Sequence, residues 1–219
     1  MAGEFDFGRV IDGKLLSQPV WCLLTASDQT TEYVAGIFGV EPQRRLVNGS
    51  EHLEVVSEEA SLRIVLDGPG NLTTQMKSWD SRGLAHHCNG CTFLSPAPRA
   101  GRLCGCPQLM SERKARARRG QGPQPVTTLS FRLFDAPGLG LFRFRSSSWR
   151  FAETVGGIRA QLTNVAGPSL CDLAIEVVEF TTSNGRQVCY QKPVVRVLGR
   201  WVPNATTDSD TDLAGQTPA

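Results

Sequence analysis

Apolar and polar residues alternate along much of the chain. In "EHLEVVSEEASLRIVLD" the pattern settles into Leu62, Ile64 and Leu66 on one face of a strand, and "DGPGN" breaks it. In "TTLSFRLFDAPGLGLFRFRS", Leu129, Phe131 and Leu133 alternate with Ser130 and Arg132, and Phe142 and Phe144 alternate with Arg143 and Arg145. This predicts a hairpin with one buried aromatic face and one basic face. Pro137-Gly138 suits the centre of a type II turn, because proline presets the first φ and glycine supplies the positive one. "PVWCLLTAS" is a further short strand, and "DLAIEVVEF" and "RQVCYQKPVVRV" are strands joined across Asn184-Gly185. Two stretches change period. Tyr33, Val34, Ile37 and Phe38 give a helix one apolar face, with Gly39 as its stop. Phe151, Val155, Ile158 and Leu162 mark a second amphipathic helix; Gly156 and Gly157 weaken it by about 1 kcal/mol each, or allow close packing.

The two halves share an outline. "LLTASDQTTEYVAGIFG" and "FRFRSSSWRFAETVGGI" both read strand, serine-containing bend, helix, and both lead into a pair of strands. The expected fold class is α+β. It has two pseudo-repeated strand-helix-strand-strand modules, residues 1–75 and 126–202, with a zinc-binding segment and basic helix inserted at 76–125. The last seventeen residues, with three Asp, one Leu and no aromatic, read as a disordered tail from residue 203.

The 219 residues suffice for one large domain or two small ones, and a net charge of +2 does not by itself imply a nucleic-acid partner. The start, "MAGEFDFGRVIDGK", has acids and no apolar core segment, so no signal peptide is expected, and no stretch is apolar enough to span a bilayer. The sequons at Asn48, Asn71 and Asn204 are then chance matches. A reducing cytoplasm follows as the setting, where clustered cysteines point to metal more than to disulfides.

Cys88, Cys91, Cys104 and Cys106 form C-x2-C-x12-C-x-C. Four thiolates at this spacing suit one tetrahedral Zn²⁺. Asn89-Gly90 permits a tight turn between the first pair, and Gly105 permits the short clamp of the second. A closed four-thiolate site leaves no place for water, so one structural zinc per chain is expected. His86 and His87 adjoin the knuckle and read as its neighbours or as exposed residues, with replacement of a cysteine ligand by either as the lesser alternative. Cys22, Cys171 and Cys189 sit singly in strand patterns and read as small buried residues.

Directly afterwards, Arg113, Lys114, Arg116, Arg118 and Arg119 lie within seven residues, opposed only by Glu112. The composition favours helix, ended at Gly120 and Gly122. Such a helix contacts DNA phosphates or an acidic protein face, or is simply solvated. No P-loop, GxGxxG, GxSxG or HExxH occurs, and no carboxylate pair stands out, so the chain is not expected to be an enzyme.

The order of these elements resembles the recombination directionality factors of actinobacterial phages that use large serine integrases. The resemblance covers roughly residues 15–200. It rests on the strand ending in Thr25-Ala26-Ser27, "YVAGIFG", Trp79 ahead of the cysteine knuckle, Cys-x-Cys-Pro, the basic helix, and Thr127-Thr128-Leu129 running into Pro137-Gly138-Leu139-Gly140 and Leu141-Phe142-Arg143. It implies a cytoplasmic protein of the bacterial host cell that binds a serine integrase through the integrase's coiled-coil region. Bound there, it shifts the integrase from integration (attP × attB) to excision (attL × attR), doing no chemistry itself and meeting DNA mainly through the integrase. The competing reading is a zinc-ribbon DNA- or RNA-binding protein acting through the basic helix.

Overall fold

A computed structural model of the chain describes residues 1–11, 14–47, 49–57 and 59–203. The expected tail, from residue 204 onward, and the sequon residues Asn48 and Asn204 lie outside them. Among the described residues the fold is α+β, mostly strands, with a mixed sheet and three α-helices. None of these helices is long and apolar enough to cross a membrane.

Strands β1 (Gly3–Ile11) and β2 (Lys14–Thr25) lead into helix α1 (Asp28–Phe38) and then strands β3 (Gln43–Val47), β4 (Ser50–Val56) and β5 (Ser61–Leu66). Three strands follow, β6 (Leu72–Asp80), β7 (Gly83–Cys88) and β8 (Phe93–Ser95), then helix α2 (Met110–Arg118). The chain returns through β9 (Gln124–Leu133), β10 (Phe142–Ser146), helix α3 (Trp149–Val165), β11 (Ser169–Thr181) and β12 (Gln187–Arg200).

The sheet runs β12-β11-β5-β9-β10-β1-β2-β4-β3, antiparallel throughout except where β1 lies parallel to β10. Strand β9 is the branch point. Its first part pairs with β6 from Leu72↔Leu129 to Lys77↔Gln124, and its last residues pair with β5 at Ile64↔Leu133 and Val65↔Arg132. Strands β6, β7 and β8 therefore extend outward from a core strand as an arm.

One buried cluster draws on both halves of the chain, from Phe5, Trp21 and Leu23 to Phe151, Leu173 and Val195. Its centre is aromatic. The Phe5 ring lies 5.7 Å from Phe131 and 5.4 Å from Phe142, and the Trp21 ring meets Phe144 edge-on at 5.2 Å. Strand β1 has no counterpart among the elements expected from the pattern. Its glycine-flanked start gives a weak signal, yet it sits mid-sheet.

The β9–β10 hairpin forms as expected, with Phe131 opposite Phe142 and Leu129 opposite Phe144, all four buried. Its connection is not a type II turn. Pro137–Leu139 form a 3-10 turn, and the positive φ of 97° falls on Gly140 instead of Gly138. The basic face is neutralised: Glu4 of β1 accepts from Arg143 and Arg145 at 2.7 Å each, and Arg132 pairs with Asp67.

Helix α1 is turned relative to expectation. Thr30, Thr31, Val34 and Ala35 are buried, whereas Tyr33 and Ile37 are 52% and 37% exposed. The two threonine hydroxyls donate to Ser27 within the helix's own first turn, which makes them cheap to bury. Gly39, at φ 64°, ends the helix as expected. In α3, Phe151, Val155, Ile158 and Leu162 are all buried, and Gly156 and Gly157 face open space, so they serve no close packing.

Candidate metal centre

The arm is short of core. Its own buried cluster is Met76, Cys88 and Phe93, with Cys104, Cys106 and Trp149 packed against it. Within it, four ligand-type atoms, from His86, Cys88, Cys104 and Cys106, lie within 4.8 Å of one another. His86 Nε2 is 3.1 Å from Cys88 Sγ and 3.5 Å from Cys106 Sγ, and the Cys88 and Cys106 sulfurs are 3.7 Å apart. Ligands about 2.0–2.3 Å from a tetrahedral ion stand roughly 3.5–3.8 Å from each other. The 3.5 and 3.7 Å separations match such edges, so this donor set can hold a metal ion.

Local structure makes the arrangement. His86 and Cys88 sit two apart on β7, and Cys104 and Cys106 are clamped across Gly105, whose φ is 71°. Gly90, at φ 94°, turns its N–H onto Cys88 Sγ at 3.3 Å. Cys104 is held by its own N–H, which donates to the Cys91 carbonyl at 2.9 Å.

The expectation named Cys88, Cys91, Cys104 and Cys106. The structure brings three of these together with His86 and leaves the Cys91 side chain exposed, outside the group. His87 is also outside. It lies between Ser95 Oγ at 2.8 Å and Gln75 Oε1 at 3.0 Å. Of the single cysteines, Cys22 and Cys171 are buried as expected, but Cys189 is exposed on the β11–β12 hairpin.

Burial pushes the Cys106 thiol up to about 12, helped by the Cys88 and Cys104 thiols beside it. Burial raises Cys88 as well. At Cys104 burial acts the same way, but the Cys106 N–H and the two neighbouring thiols donate to it and bring it below the usual thiol value. Adjacent thiolates repel, and a cation at the centre is what would let the three ionise together. Burial, then the nearby Arg99, lowers His86 and keeps its imidazole neutral, the form that ligates metal.

The basic residues are divided by α2. Met110, Arg113, Lys114 and Ala117 form its half-buried side. Arg113 Nη2 donates to the Gly90 carbonyl at 3.0 Å, and its Nε donates to the Pro107 carbonyl, tying the helix to the knuckle. A Cβ on Gly90 would come within 2.4 Å of the Arg113 guanidinium. Lys114 reaches Glu153 of α3 at 3.7 Å. Arg116, Arg118 and Arg119 are exposed, and Arg116 lines a cleft of about 180 Å³ beside His86, Cys104 and Cys106.

The sequence model of the Gp3-like family, described as recombination directionality factor-like, matches residues 21–197. The chain belongs to this family. The match runs from within β2 to within β12, so it takes in the arm, the metal-ligand set and all three helices. No solved structure matches the chain.

Proposed function

We propose that this chain is a recombination directionality factor that binds a serine integrase on its attachment sites and switches it from integration to excision. The family match over residues 21–197 carries the reading. In this reading the integrase cuts and rejoins the DNA, and this chain contributes only binding energy, in the cytoplasm of the bacterial host. The physical requirement is differential affinity. A factor that binds the attL–attR arrangement about 3 kcal/mol more tightly than the attP–attB one changes the preference more than a hundredfold.

Zinc is the proposed occupant of the His86, Cys88, Cys104 and Cys106 set, in a structural role. Thiolate and imidazole donors in tetrahedral spacing suit it. The segment has too little apolar surface to order itself, and binding an ion there is folding free energy.

The test is recombination in vitro with the cognate integrase. The protein is expected to switch on attL × attR and to inhibit attP × attB, and to leave DNA intact when added alone. Unchanged product ratios at saturating protein would overturn the reading.

A further inference from the structure

Charge is segregated in this molecule. Eight of the 23 Lys and Arg, but one of the 21 Asp and Glu, lie between residues 81 and 123. That stretch is net +7 in a chain that is net +2, so the remainder is net −5. Within the fold most of the basic strand residues meet acids, as Arg143 and Arg145 meet Glu4 and Arg196 meets Glu176. Between residues 81 and 123, Arg82 meets Asp80 at 3.9 Å and Lys114 meets Glu153 at 3.7 Å, and the other six basic residues meet no acid among the described residues. Arg99, Arg102, Arg116, Arg118 and Arg119 are exposed and make no ion pair among the described residues. Concentrated like charge costs self-repulsion and is retained where something acidic answers it.

The arm also exposes large apolar side chains. Strand β6 pairs with β9 only as far as Lys77, and β7 pairs with β8 only at His87 and Cys88. Beyond these points the β6–β7 hairpin is a free two-stranded ribbon. Its tip carries Trp79 directly opposite Leu84, 62% and 44% exposed. Leu103, just before the second ligand clamp, is 84% exposed. The charged and apolar features meet around the metal ligands. Leu84 is two residues from His86, whose ring lies 4.8 Å from Phe93. The Arg99 guanidinium covers Phe93 at 3.8 Å, and Arg116 lines the cleft beside His86.

We propose that the metal arm is a protein-docking surface for an acidic partner face, apolar at its centre and rimmed by Asp and Glu. Resting on the reading given above, that face belongs to the integrase. Exposed Trp and Arg together are what concentrates binding energy in protein interfaces. Phosphate backbone would answer the arginines but leaves Trp79, Leu84 and Leu103 without a role. The stretch from 81 to 123 holds one lysine among its eight cations, consistent with planar guanidinium–carboxylate pairing.

The experiment measures binding of the full-length, metal-loaded protein to the cognate integrase across a range of salt, and recombination in parallel. Two variants are compared, Trp79→Ser with Leu84→Ser, and Arg116→Gln with Arg118→Gln and Arg119→Gln. Phe180→Ser on the β11–β12 hairpin serves as the exposed-aromatic control. Unchanged metal content and denaturation midpoint establish that each variant is folded. The apolar variant is expected to bind about 30-fold more weakly at every salt concentration. The arginine variant is expected to lose affinity at low salt and to show a flatter salt dependence. Phe180→Ser is expected to match wild type. If wild type binds and switches the integrase while both arm variants do so equally well, the docking surface lies elsewhere and the functional reading stands. If wild type neither binds nor switches it, both fall. Affinity for bare duplex DNA that the arginine variant loses and the Trp79 variant keeps, with integrase binding unaffected by either, would make the arm a phosphate contact and overturn the proposal. Self-association of wild type that both variants abolish, with integrase binding unaffected, would make a second copy the occupant and overturn it as well.

Discussion

His86 stands with three cysteines because β7 is a strand, in which side chains two apart share a face. Cys91 comes after the turn at Asn89 and Gly90, and its backbone rather than its thiol serves the centre, through the carbonyl that receives the Cys104 N–H. The consequence is measurable. Metal analysis of the purified protein should find about one ion per chain in wild type and in Cys91→Ser. His86→Ala and Cys106→Ser should fall well below that ratio. Cobalt loaded in place of zinc should give thiolate charge-transfer absorption in the first pair and weakened or altered bands in the second. Loss of metal in Cys91→Ser with retention in His86→Ala would restore the four-cysteine set.

Helices α1 and α3 begin the same way. Ser27 Oγ accepts from the Thr30 N–H and Ser148 Oγ accepts from the Phe151 N–H. Two residues earlier, Thr25 and Ser146 offer hydroxyls to the N–H groups of Ser27 and Ser148. The two bends that lead from strand to helix thus share this pair of hydroxyl bonds, while the threonine bonds to Ser27 have no counterpart at Ser148. The pairings that follow differ, since β4 returns to β2 whereas β11 pairs with β5. Ser148→Ala should cost about 1 kcal/mol in urea unfolding, the usual loss for an N-cap hydroxyl, and Ser27→Ala more, because it also strips the buried Thr30 hydroxyl of its acceptor. A cost within error of zero at both positions would show that packing alone sets where these helices start.

Over the whole molecule, the parallel β1–β10 pair brings the start of the chain against its middle, and Glu4 reinforces it. Burial alone would raise the Glu4 carboxyl, but hydrogen bonds from Arg143 and Arg145 outweigh it and hold it below the ordinary carboxylate value. A lowered folded value means that Glu4 contributes fully above the unfolded value of about 4.3, and that the contribution is lost as pH falls through the folded value. Asp6 on the same strand is intact in both proteins compared, so it cancels from the difference. Glu4→Gln should therefore lose less stability than wild type between about pH 4.5 and pH 3, read as the shift in denaturation midpoint. Parallel acid limbs would mean that Glu4 is merely solvated. Because the pair is partly exposed, solvent screening keeps the effect modest.

Local information in the sequence determined the hairpin of Leu129, Phe131, Phe142 and Phe144, the apolar stripe of α3, the stop at Gly39 and the clustering of metal-binding residue types. Each depends on period, turn chemistry or spacing within a few residues. Long-range pairing decided the rest. The N-terminal strand could enter mid-sheet only because β10 offered it a parallel edge. The face of α1 was set by what packs on it, once Thr30 and Thr31 had satisfied their hydroxyls within the helix. The shared face of His86 and Cys88 was legible in the strand period, but which thiols close on it was set by the fold-back that brings Cys104 and Cys106 against that face and leaves Cys91 outside. That approach joins separate segments of the chain, and no spacing within β7 carries it.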